Sequence, residues 1–120
     1  MLSAFIDDGQ AITAYIRGVE RVYPAGRINF RRATASEIDT MLTRVRVMDV
    51  KERSHELNKF VVDHLETWSY GREVTLANYE LMPQTLMERI DAIVRGLEGG
   101  DDDPEGIADK HATTEEREKN

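Results

Sequence analysis

The sequence predicts an α+β fold: a small N-terminal antiparallel hairpin or three-stranded sheet, then about three helices, then a disordered acidic tail. Three observations point there. Apolar residues alternate with period two in the first third, they recur at three and four from Thr34 onward, and large apolar side chains nearly vanish after residue 97. A chain of 120 residues has room for one domain, expected over residues 1–97, with residues 98–120 as the tail.

The strand signals come first. From Ala11 to Gly18, Ile12, Ala14 and Ile16 share one parity while Thr13, Tyr15 and Arg17 share the other, as suits a half-buried strand. Arg27 to Arg31 alternates in the same way, with Ile28 and Phe30 on the apolar side. Pro24-Ala25-Gly26 is the expected turn between them. Asp7-Asp8-Gly9 marks an earlier turn, which makes Ala4-Phe5-Ile6 a candidate third strand.

Thr34-Ala35-Ser36-Glu37 has the form of a capping box and opens the helical part. Ile38, Met41, Leu42, Val45 and Met48 then follow one helical face, and Leu57, Phe60, Val61, His64, Leu65 and Trp68 resume it. An unbroken helix over residues 34–67 would run about 50 Å, long for this chain, so a break or kink is expected near Asp49 to Ser54. Ser69 to Arg72 is a turn, and Thr75 caps a short helical segment over Leu76 to Leu81 that the Met82-Pro83 step ends. Pro83 then suits the first position of the last helix, whose apolar face is Leu86, Ile90, Ile93, Val94 and Leu97, and Gly99-Gly100 are expected to stop it.

Composition narrows the functional classes. The net charge of −7 is concentrated in the tail: residues 1–97 carry 14 acidic and 13 basic side chains, residues 98–120 carry 9 and 3. A nearly neutral body offers little of the phosphate attraction behind non-specific nucleic-acid binding. With no cysteine there is neither a disulfide framework nor a thiolate metal site. Met1 to Asp8 has no basic n-region or apolar h-region, and no apolar run approaches the ~18 residues of a membrane span. A soluble, cytoplasmic protein is expected.

Catalytic and metal signals are weak. Glu52-Arg53-Ser54-His55 matches Glu-x-x-His, but His64 and His111 supply no second copy, as a di-iron bundle would need. Asp101 to Gly106 resembles the start of a calcium loop whose twelfth position is Ala112 instead of a bidentate glutamate. No nucleophile elbow or phosphate-cradling loop occurs, and the paired acids Asp63 and Glu66 have polar neighbours. Arg31-Arg32 with Arg27 is the densest basic cluster, read as a strand end with solvated or paired arginines. No enzyme, cofactor or metal is expected. Trp68, the only tryptophan, is expected to close the core against the last helix, with partner contact as the alternative.

The order of pieces resembles a family. Asp8-Gly9, Ile28-Asn29-Phe30-Arg31-Arg32-Ala33-Thr34, Leu65-Glu66-Thr67-Trp68, Gly71-Arg72-Glu73-Val74, Thr75-Leu76-Ala77-Asn78 and Leu81-Met82-Pro83 look like the tail assembly chaperones of long-tailed bacteriophages and prophages, across roughly residues 4 to 97. A proline common in that pattern is replaced here by Ala33. The resemblance implies a non-catalytic protein of the host cytoplasm, absent from the mature virion. It would bind the long helical tape measure protein and help tail tube subunits assemble, and it would work alone or as a homo-oligomer. Such a client calls for apolar surface beyond the protein's own core. Met41, Met48, Met82 and Met87, with Trp68, are the candidate partner-binding residues, since methionine adapts to varied surfaces. For any one of these methionines the core is the favoured reading. The alternatives are another small phage interaction module, such as a virion connector or adaptor, or a nucleic-acid-binding regulator.

Overall fold

A computed structural model describes residues 11–102. Two strands, β1 (Ala11–Ile16) and β2 (Gly26–Arg31), precede two helices, α1 (Ala35–Val45) and α2 (Val50–His64); then come β3 (Leu65–Trp68), the single-turn α3 (Leu76–Tyr79) and α4 (Gln84–Val94). The sheet is antiparallel with order β1-β2-β3, so the fold is α+β. Period-two alternation sets its faces. Ala14, Ile16, Ile28 and Phe30 point inward and are buried, and α4 covers them with Leu86, Ile90, Ile93 and Val94.

The third strand is the largest departure from expectation. Leu65 to Trp68 was expected to prolong a helix, and instead it pairs with β2; Ala4-Phe5-Ile6 lies outside the described residues. The cause of the misreading is a β-bulge. Trp68 pairs with Ile28 and Thr67 with Asn29, but Leu65, not Glu66, pairs with Phe30. The extra residue shifts strand parity, so Leu65 and Trp68 both lie opposite inward-facing residues although three positions apart. Three is also a helical spacing, and the two periods are indistinguishable over so short a run.

Local chemistry accounts for the other boundaries. The hairpin reverses at Glu20 to Val22, closed by a Val19–Tyr23 bridge with Arg21 at φ 65°, not at Pro24-Ala25-Gly26. Gly26 instead opens β2, because a Cβ there would stand 2.5 Å from the Tyr70 ring. The helix break falls at Arg46 to Asp49, and Ser54 lies inside α2. Asp49 caps α2 by accepting from the Glu52 N–H at 2.9 Å, while Arg53 reaches back to the Val45 and Met48 carbonyls at 3.4 and 3.1 Å. Pro83 is the N-cap of α4, not its first residue, with ψ 142° and its carbonyl accepting from Leu86 and Met87. Gly96, not Gly99-Gly100, ends α4: at φ 77° it allows a Schellman closure, Leu97 N–H to Ala92 O at 2.8 Å and Gly96 N–H to Ile93 O at 3.1 Å. Leu97 is thereby turned out to solvent and leaves the apolar face assigned to it.

Two separate cores result. The first joins the sheet to α4 and the C-terminal half of α2. The second, smaller one holds α1 against α2 through Ala33, Met41, Val45 and Phe60. The expected capping box is present: Thr34 Oγ1 accepts from the Glu37 N–H at 3.1 Å, and Glu37 Oε1 from the Thr34 N–H at 2.9 Å. The other Glu37 oxygen lies 3.2 Å from Nε2 of buried His64, whose Nδ1 is 2.8 Å from the Phe60 carbonyl. Both ring nitrogens thus lie within hydrogen-bonding distance of an oxygen.

These contacts give Glu37 a pH signature. The Thr34 backbone N–H, and to a smaller degree the Thr34 and His64 side chains, hold its carboxyl below the ordinary value of 4.5 against the opposing effect of burial. A carboxylate lowered in the folded state stabilises fully above its unfolded value and loses that stabilisation as pH falls through the folded one. Wild type should therefore be more stable than Glu37→Gln at pH 7, by under about 1 kcal/mol because the side chain is largely solvated. Urea melts should show the gap narrowing as pH falls below 4.5. A gap independent of pH would show that the charge contributes nothing.

Candidate protein-binding groove

Three loops that the sheet and α4 hold in place converge on one groove of about 460 Å³. The β1–β2 loop supplies Val22, Tyr23 and Pro24. The end of β3 supplies Trp68, the β3–α3 loop supplies Tyr70, Gly71 and Arg72, and the α3–α4 corner supplies Leu81, Met82 and Pro83. Trp68 arrives from the inner face of β3, and its indole N–H donates to the Gly71 and Arg72 carbonyls at 2.9 and 3.0 Å. That bond draws the loop into a tight reversal with Gly71 at φ 84° and Arg72 at φ 59°. Arginine in the left-handed region is strained by about 1 kcal/mol, and the strain presents Arg72 at the groove.

The α3–α4 corner is pinned as firmly. Thr75 caps α3 through the Asn78 N–H at 3.1 Å, and the Tyr79 hydroxyl donates to the Met87 carbonyl at 2.9 Å inside the core. Burial pushes the Tyr79 hydroxyl well above the ordinary tyrosine range, so it remains a donor. The chain then turns outward at Leu81, which is 70% exposed, before Met82 turns back to rest against the core. Tyr70 forms the groove's inner wall against Gly26. Its buried hydroxyl has no hydrogen-bond partner among the described residues, and burial raises its ionisation in the same direction. Leu81 and Val22 are both exposed and line the groove together with the aromatic rings of Tyr23, Trp68 and Tyr70.

Of the five candidate partner-binding residues, Trp68 and Met82 are brought together here. Met41 and Met87 are corrected to core positions: Met41 is 2% exposed between α1 and α2, and Met87 is buried where α4 meets α3. Met48 is half-buried against the smaller core and borders a second concavity of about 650 Å³. Glu52 and His55 line that concavity, where His55 Nδ1 lies 3.5 Å from Glu80. Among the described residues no three His, Asp or Glu side chains are grouped as metal ligands, and no helix is long and apolar enough to cross a membrane. Arg31 donates to the Asp63 carbonyl at 3.2 Å, and Asp63 and Glu66 are both exposed.

Tyr23, Tyr70 and Leu81 were missed as groove residues because each lies in a loop, where periodicity carries no information. Leu81 was expected to end the short helical segment begun at Leu76, but α3 stops at Tyr79 and leaves Leu81 outside it, just before Met82-Pro83. No family model, curated protein or solved structure matches the chain.

Proposed function

We propose that this is a non-catalytic binding protein, acting in the host cytoplasm as a tail assembly chaperone of the long-tailed phage kind. Its client is a long helical protein of the tape measure type, kept soluble until tail tube subunits enclose it. The observation that carries the reading is the exposed apolar lining of the groove, Leu81 and Val22, together with Trp68 and Met82. An amphipathic helix laid in such a groove would bury leucine-sized anchors at helical spacing. Methionine and aromatic side chains suit a client whose contacting residues vary along its length. Rigid loops holding the groove open favour recognition with little ordering cost.

The test is co-expression with the long helical product encoded downstream. A client that precipitates alone and stays soluble in a complex with this protein supports the reading. A client that is soluble unaided and forms no complex overturns it.

A further inference from the structure

The outer edge of β1 is occupied by the chain's own C-terminal segment. Asp101 N–H donates to the Tyr15 carbonyl at 2.8 Å, and Asp101 Oδ2 accepts from the Arg17 N–H at 2.8 Å. From the other side, the Arg89 guanidinium bonds Asp101 Oδ1 at 2.8 Å, the Gly99 carbonyl at 3.0 Å and Glu98 Oε1 at 3.3 Å. The segment lies so close that a Cβ on Gly100 would stand 3.0 Å from the Tyr15 oxygen and 3.1 Å from the Ala14 Cβ. Residues 98–101, the start of the expected tail, are thus held against β1 and α4.

We propose that this edge is a recognition site for an extended acidic segment of a partner protein, and that residues 98–102 are the chain's own stand-in for it. The specificity follows from the contacts. A glycine must pass over Tyr15 and Ala14, and the next residue must bring a carboxylate between the Arg17 N–H and the Arg89 guanidinium. That carboxylate also needs its own N–H directed at the Tyr15 carbonyl. One main-chain bond to the edge of β1 places the segment, and one ionic anchor selects it.

The stand-in is built to be displaced. None of residues 98–102 is an apolar side chain, and Leu97 beside them is exposed, so no hydrophobic burial holds the segment down. Gly96 at φ 77° precedes the stretch that would swing away, and Gly99 lies within it. The held carboxyl of Asp101 is lowered from its ordinary value, chiefly by the Arg17 backbone N–H, so it stays ionised in the bound form. The site is separate from the proposed client groove and does not depend on that reading.

The test uses the full chain carrying Gly100→Val and Asp101→Ser, which breaks the internal contact, and a labelled synthetic peptide of residues 97–103. Fluorescence anisotropy should show the variant binding the peptide roughly tenfold or more tighter than wild type, whose edge is already filled. A peptide with Asp101→Asn should lose roughly tenfold in affinity for the variant, the worth of one charge-assisted contact. Equal binding by variant and wild type, or none by a folded variant, overturns the proposal. Should circular dichroism show the variant unfolded, amide exchange on the unaltered chain decides. Asp101 and Arg17 amides exchanging faster than Ile28 and Ile90 support a displaceable segment. Exchange of all four only through global unfolding overturns it.

Discussion

Leu81→Glu should abolish retention of the client in co-expression while leaving the melting temperature of the protein unchanged. Leu81 is exposed and makes no part of either core, so a surface substitution there changes stability by less than about 0.5 kcal/mol. In the groove, however, it is the apolar residue with most surface still to lose. A buried anchor of an interface contributes about 2 kcal/mol or more, so truncating it and burying a carboxylate should weaken binding by well over tenfold. Leu97→Glu is the matched control, because Leu97 is nearly as exposed and lies outside the groove. If both variants lose the client equally, general surface hydrophobicity and not the groove is responsible. If neither does, the groove is not the client site.

Ile90→Ala should produce the largest loss of stability. Ile90 is fully buried, with 0% exposure, at the centre of the α4 face that covers the sheet. Removing three buried carbons from a packed core costs roughly 2–5 kcal/mol, of which part is the residual cavity. For a domain of this size that lowers the melting temperature by about 10 °C or more. Ile90→Val should cost only about 1 kcal/mol. A small effect of Ile90→Ala in thermal melts would mean that α4 is not packed on the sheet as described.

The regular elements were readable wherever a single period ran long enough to be unambiguous. The alternation in β1 and β2 identified both strands and their inward faces, and Leu86, Ile90, Ile93 and Val94 identified the covering face of α4. Thr34 and Thr75 announced two helix starts because capping chemistry is local. β3 was hidden because a bulge gave a four-residue strand the spacing of a helix. The groove was half legible. Trp68 and Met82 could be singled out by residue type, but their meeting with Tyr23, Tyr70 and Leu81 depends on where three loops end in space. Methionine type alone could not separate Met82 from Met41 and Met87, since a flexible thioether suits a core and a partner surface equally. The docking of Asp101 on β1 links residues 84 positions apart, a distance over which no local pattern speaks.

The division of the interior into two cores carries a consequence for how the molecule comes apart. α2, 15 residues long, contributes Phe60 to the smaller core, Val61 to the larger one and His64 to the link with Glu37. Among the described residues the smaller core contains four buried side chains, and Val47, 90% exposed, sits at the corner between α1 and α2. Amide exchange is therefore expected to be faster in α1 and the first turns of α2 than in the sheet and α4, and equal rates throughout would show that the two cores open together. The seam between the two cores crosses α2 between Phe60 and Val61, inside a continuous helix, where only the side-chain environment changes.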